Sequence, residues 1–190
     1  MNTRIRNLIA PIVWGAVIIF GVCFLIIRPQ SVDDFSSCVS YTISVVAVLF
    51  FLYEKWLWRL IPWNRPPILK KEYDGTIKYK WEGESRSKDI QISVEQTLLT
   101  VRITTKTDIN SSRALTGDIV EEHGAYFLYY TYITNPSAQY RDENPIQYGT
   151  CRLELTLDEN KTMTGHYWTS AKTVGDITWK EKSDPRLINL

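Results

Sequence analysis

The side chains that could do chemistry in this sequence are suited to binding rather than bond-making. Thr105, Ser111, Ser112, Tyr130, Tyr132, Asn135, Tyr148, Thr150, Tyr167 and Thr169 recur through the C-terminal two thirds, with Arg113 and Lys172 as cations among them. Tyrosine rings stack on nucleobases at about 1–3 kcal/mol per base. Hydroxyls, an asparagine and backbone N–H groups bind phosphates, and Arg113 or Lys172 adds charge. On residue type alone, Tyr130, Tyr132 and Tyr167 read first as core aromatics whose hydroxyls reach water. Catalytic constellations are missing: there is no Gly-x-Ser-x-Gly, no His-Glu-x-x-His and no phosphate-binding glycine loop. His166 alternates against Gly165 and Tyr167 and reads as surface decoration, and Asp142-Glu143 as a solvated loop pair. Cys23, Cys38 and Cys151 have no close spacing, which gives neither a disulfide framework nor a zinc site. No enzyme activity, metal or cofactor is expected, and a reduced compartment suits the soluble part. A net charge of +1 over 190 residues argues against an electrostatic DNA or RNA binder.

The elements that would position these residues are strands. Ile77, Tyr79 and Trp81 alternate with Lys78, Lys80 and Glu82. Further strands are expected over 89–94, 97–105, 112–121, 125–134, 149–157, 163–169 and 173–182. The run 125–134 (AYFLYYTYIT) is the strongest, with Leu128, Tyr130 and Tyr132 on one face. Cys151, Leu153, Leu155 and Leu157 alternate against Arg152, Glu154 and Thr156. Turns are expected at Asn110-Ser111-Ser112, at His123-Gly124 and at residues 158–161, with a polar loop over 135–148. About eight strands in a meander predict an antiparallel up-and-down β-barrel, compact and lipocalin-like. Closing such a sheet removes its edges and leaves room for side chains or one small ligand.

The first third is different. Residues 8–27 carry no charge, and about 20 apolar residues cross a hydrocarbon core of roughly 30 Å. Pro11 is expected in the first helical turn. The run is too long for a signal-peptide core, and no small-x-small site follows. A second span is expected over 35–53. Its Ser40 and Ser44 allow close helix approach, either in packing within the hairpin against Gly15 and Gly21 or in an assembly face. Arg4 and Arg6 precede the first span, and Lys55, Arg59, Arg65, Lys70 and Lys71 follow the second. The connecting loop has Arg28, Asp33 and Asp34. This distribution places both termini in the cytoplasm. Trp56, Trp58 and Trp63 fit an interfacial belt, and Pro62, Pro66 and Pro67 a stiff neck. The expected organisation is a two-helix transmembrane region (1–64), a proline-rich neck (65–72), a β-barrel (73–182) and a tail (183–190).

The order of these features resembles the two-transmembrane, β-strand-rich effectors found beside nucleotidyltransferases in bacterial CBASS antiphage systems. The resemblance rests on residues 96–114, 128–136, 148–155 and 165–177, following a helical hairpin. The family pattern Y-x-T-x-R-x-T-x-G-x-I is matched by Tyr167, Thr169, Thr173, Gly175 and Ile177. Its arginine is Ala171 here, beside Lys172, which on a regular strand would face the other side. The Gly-x-Trp of lipocalin-like barrels is Gly75-Thr76-Ile77. The resemblance implies that a cyclic di- or oligonucleotide, made by a CD-NTase-type nucleotidyltransferase, binds the cytoplasmic barrel. It further implies homo-oligomerisation and disruption of the bacterial inner-membrane lipid. The rival readings are a membrane-tethered lipocalin-like carrier, which needs an open apolar lumen, and a protein-interaction adaptor, which needs a large exposed apolar patch.

Overall fold

The computed structural model describes residues 3–61, 66–81, 83–108, 110–142, 145–156 and 162–182. The expectations for Pro62, Trp63, Arg65, Glu82, Glu143, Leu157, the turn 158–161 and the tail lie outside the described residues, as do the side chains of Arg4 and Trp81. The chain divides into a helical unit and a β unit.

The helical unit is a hairpin of α1 (Thr3–Ile27) and α2 (Val32–Lys55). Both helices are long and apolar enough to cross a membrane. The connection is shorter than the sequence suggested, because Asp33 and Asp34 belong to the first turn of α2 and not to the loop. Ser31 Oγ accepts from the Asp34 N–H (3.1 Å), while the Asp34 carboxylate accepts from the Ser31 N–H (3.2 Å). This reciprocal cap satisfies otherwise orphaned donors and places negative charge at the helix N-terminus. Pro11 sits inside α1 rather than in its first turn. The ring costs a backbone hydrogen bond there, which membrane helices tolerate better than soluble ones.

The buried face of α2 is Cys38 and Thr42, one turn apart, with Thr42 Oγ1 donating to the Cys38 carbonyl (2.8 Å). Phe20 meets Phe35 edge-on at 5.8 Å near the same end. Ser40 and Ser44 are exposed, and Ser44 Oγ donates to the Ser40 carbonyl (2.9 Å). They lie two residues, about 200°, around the helix from the buried pair. The Ser40/Ser44 pair is therefore not the seam of the hairpin, and a Cβ added at Gly15 or Gly21 would meet nothing within 4 Å.

The β unit is a closed barrel of eight strands in sequence order, each antiparallel to the next. They are β1 (Glu72–Trp81), β2 (Glu84–Gln96), β3 (Val101–Lys106), β4 (Asn110–Glu122), β5 (Ala125–Pro136), β6 (Tyr148–Leu155), β7 (Met163–Thr169) and β8 (Val174–Glu181). β8 returns to β1 from Tyr73↔Glu181 to Tyr79↔Gly175, so no edge is left between first and last strand. Period-2 alternation sends Ile90, Ile92 and Val94 inward from β2, and Leu153 and Leu155 from β6. Trp179 fills the middle of the core, with its ring centroid 5.8 Å from Tyr73 and 5.9 Å from Tyr130. On the outside, the Arg152 guanidinium covers the Phe127 ring at 3.9 Å while its Nε donates to the Tyr129 hydroxyl (2.7 Å). The β4–β5 turn is His123-Gly124, as expected, and both residues have positive φ (51° and 84°). A two-residue hairpin whose twist matches its strands needs that conformation.

Two strand expectations are corrected, and one irregularity is added. Asn110-Ser111-Ser112 is the start of β4, not a turn. The turn lies before it, closed by the Thr107 N–H donating to the Asn110 carbonyl (2.8 Å) and the Asn110 N–H donating to Thr107 Oγ1 (3.1 Å). A hydroxyl supplies the pairing that a turn sequence would otherwise advertise. Residues 97–100 are not part of β3, whereas β2 is longer than the expected 89–94. Finally, β4 carries a bulge: its register passes from Ala114↔Tyr132 to Thr116↔Thr131. The extra residue, Leu115, is 57% exposed, and the inward set shifts from Ser112 and Ala114 to Gly117 and Ile119.

Candidate ligand-binding site

The antiparallel register gathers the sequence candidates at one end of the barrel, opposite the end where the chain enters β1. Thr105 is next to last in β3, Ser111 and Ser112 follow Asn110 at the start of β4, Tyr130 and Tyr132 lie in the middle of β5, and Tyr167 is late in β7. These six line one cavity of about 100 Å³, walled on its apolar side by Ile77, Ile90 and Ile177. The Trp179–Tyr130 contact lies beneath it as a floor.

Room for the tyrosine rings is made by glycines on neighbouring strands. A Cβ on Gly149 would strike the tip of Tyr132, and one on Gly175 would come within 2.6 Å of Tyr167 Cε1. Aromatic rings lying across glycines pin the register and position of both partners.

Four candidates stand at the rim. The Asn135 carbonyl accepts from Ser111 Oγ (3.4 Å), and its Oδ1 accepts from Arg141 Nη2 (3.3 Å). Tyr148 is 60% exposed, and its carbonyl accepts from the Ser170 N–H (2.8 Å). Thr169 Oγ1 accepts from the Thr173 N–H (3.3 Å). Lys172 is in the β7–β8 turn with φ of 61°, not on a regular strand. The face argument made for it from sequence therefore does not apply. Arg113 and Thr150 point away from the cavity: Arg113 pairs with Thr104 and Ile133, and Thr150 is next to inward-facing Cys151.

The cavity also contains residues that were not singled out in the sequence: Thr107, Asn110, Thr134 and Cys151. Asn110 Oδ1 is buried with no hydrogen-bond partner among the described residues, which makes it an acceptor available to a donor in the cavity. Asn110 had read as a turn residue. Thr134 was discoverable, being two residues beyond Tyr132 on the same face. His166, on the outer surface, faces Asp176 (Nδ1···Oδ1 2.8 Å).

Burial sets the electrostatics. It pushes the Cys151 thiol up to about 12 and the Tyr167 phenol up to about 12, and it raises Tyr130 and Tyr132 as well. All four are neutral near pH 7, and among the described residues no charged side chain lines the cavity. The site thus offers rings, hydroxyls and an amide inside, with Lys172 and Arg141 on the rim.

These shifts predict alkaline sensitivity. In the unfolded chain Cys151 and Tyr167 release protons from about pH 9 and 10, whereas the folded chain holds them to about 12. Their contribution to stability is complete below pH 9 and is lost as pH rises through that window. Each pH unit costs about 1.4 kcal/mol per group so affected. Thermal melts from pH 7 to 11 should show a falling midpoint above pH 9. A flat or rising midpoint would contradict the buried, neutral assignment.

A family model described as the Cap15 cyclic dinucleotide receptor domain matches residues 65–181, which include all eight strands. The chain belongs to the Cap15 family. It is 38% identical over 184 residues to CD-NTase-associated protein 15 of Staphylococcus schleiferi, a match covering 95% of this chain and 99% of the relative. A match covering 95% of this chain reaches well beyond the segment 65–181 into the helical hairpin. The cavity lies wholly within the matched Cap15 segment.

Proposed function

We propose that the chain is a membrane effector of CBASS antiphage immunity, gated by a cyclic dinucleotide that binds the open end of the barrel. The observation that carries this reading is the uncharged, tyrosine-lined cavity with its unpartnered Asn110 acceptor, in a domain of the cyclic dinucleotide receptor family. A cavity of about 100 Å³ is small beside the roughly 300–1,000 Å³ that drug-sized ligands fill. A base edge inserts between the Tyr132 and Tyr167 rings, and an amino group on it donates to Asn110 Oδ1. The ribose-phosphate ring stays across the mouth. Its charge there meets Lys172, the hydroxyl of Thr169 and the rim group Asn135, with no ion buried in the core. Tyr148, exposed beside this mouth, stacks on the second base. Arg113 and Thr150 take no part inside.

In this reading a CD-NTase-type nucleotidyltransferase supplies the ligand on infection. The ligand favours a homo-oligomer because it binds the assembled state more tightly than the resting one. The hairpins, inserted in the bacterial inner membrane with both termini cytoplasmic, then disrupt it and kill the cell. The carrier alternative is disfavoured, since four aromatic side chains, Tyr73, Tyr130, Tyr167 and Trp179, occupy the lumen.

The test is the thermal stability of the full chain in detergent with a panel of cyclic dinucleotides. A cognate ligand at a hundred times its Kd adds about 2.7 kcal/mol. No shift with any member, under conditions where the barrel melts cooperatively, would refute the receptor reading for this site. Intact membranes in cells co-expressing an active partner synthase would refute the effector step.

A further inference from the structure

The hairpin is most deeply buried in its connecting half. Cys38 and Thr42 are the buried residues of α2, both in its first half, and the Phe20–Phe35 contact is at the same end. Towards the other end a groove of about 750 Å³ opens between the helices. Its walls are apolar: Ala16 and Ile19 on α1 face Val46 and Phe50 on α2, and Gly15 leaves space where a side chain would be. Arg6 stands at its mouth, without an ion-pair partner among the described residues.

We propose that this groove holds a phospholipid with an anionic headgroup. The inference rests on reading both helices as membrane spans. A gap of this size at hydrocarbon depth forfeits dispersion contacts on every wall, and an acyl chain restores them. Water does not suit it, because the walls away from the mouth offer few polar partners. The charge at the mouth selects the lipid. Arg6 lies at headgroup level, on the end of the hairpin where Lys55 and Arg59 also fall, and a basic pocket between helices on the cytoplasmic side suits an anionic headgroup. Gly15 is the residue that keeps the groove open, since a Cβ there meets nothing within 4 Å.

The test uses the full chain, reconstituted in vesicles of equal parts phosphatidylglycerol and phosphatidylcholine. The protein is extracted in mild detergent, and its retained lipid is read by native mass spectrometry. The wild type should retain a single lipid, with phosphatidylglycerol preferred about fivefold, the scale of one cation near an anionic surface. Gly15→Leu, which raises helix propensity and so should not unfold α1, should lose the retained lipid. Arg6→Gln should keep a lipid but lose the preference. Equal retention by wild type and Gly15→Leu would overturn the proposal, as would a wild type without lipid. So would disulfide cross-linking between copies through Gly15→Cys in the absence of nucleotide, because a second chain would then occupy the groove. Alkaline carbonate separates the two possible failures. A chain that stays in the membrane fraction without lipid removes the groove proposal alone, whereas a chain that is extracted removes the membrane reading too.

Discussion

Trp179→Ala should cost the barrel about 3–5 kcal/mol, the usual loss for a buried tryptophan truncated in a core. Trp179 has no exposed surface and packs at a tilt against both Tyr73 and Tyr130. Its Nε1 has no hydrogen-bond partner among the described residues, so the loss is one of transfer and cavity, not of a broken hydrogen bond. Against a typical total stability of about 5–15 kcal/mol this is enough to populate open states. Cys151, which is 1% exposed, reports them locally. Its labelling by a maleimide near pH 7 should speed up on the order of a hundredfold or more, since about 1.4 kcal/mol is a factor of ten. Trp168→Ala is the control: Trp168 is on the adjacent strand, points outward and is 45% exposed. It should change the rate little. Similar rates in Trp179→Ala and wild type would show that the core does not depend on this ring.

The second large effect is on binding. Gly149→Ala places a methyl group where the tip of the Tyr132 ring lies. A ring tip can swing, and the space open to it is the cavity of about 100 Å³. The variant should remain folded, with Cys151 still protected, yet lose nucleotide affinity on the order of 10–100-fold, or about 1.4–2.8 kcal/mol. Gly165→Ala should behave differently. Its Cβ would strike the backbone carbonyl of Arg152 and approach the Leu153 Cα to 2.9 Å, so the β6–β7 ladder itself must part. That variant should lose stability before anything else. Calorimetric titration of Gly149→Ala with the ligand that stabilises wild type decides the point. Unchanged affinity would remove Tyr132 from the proposed site.

The contrast between these glycines shows where the sequence stopped being informative. Gly149, Gly165 and Gly175 all fall at inward-facing positions of strands. Only the register reveals that one faces a movable ring, another a fixed carbonyl, and the third both. The bulge at Leu115 was likewise invisible. The run through β4 alternates acceptably without it, and one extra residue exchanges the inward and outward faces of everything that follows. Asn110 was misplaced for a related reason. An asparagine followed by two serines has the composition of a turn, but the Thr107 hydroxyl closes the turn earlier and frees Asn110 to begin a strand at the cavity wall.

Two helices of spanning length and the strand count were legible in the residues alone. Twenty uncharged residues cannot be hydrated cheaply, and period-2 alternation with turn residues between the runs has one economical solution, a closed meander. The residue types pointed to binding chemistry, and the resemblance indicated the family. What only the tertiary structure decided was which of twelve candidates converge. Thr105, Ser111, Ser112, Tyr130, Tyr132 and Tyr167 meet around one cavity, Asn135, Tyr148, Thr169 and Lys172 stand at its rim, and Arg113 and Thr150 face away. The physical reason is that convergence depends on cross-strand register. Register is fixed by pairings between residues far apart in the chain, and local spacing does not contain them.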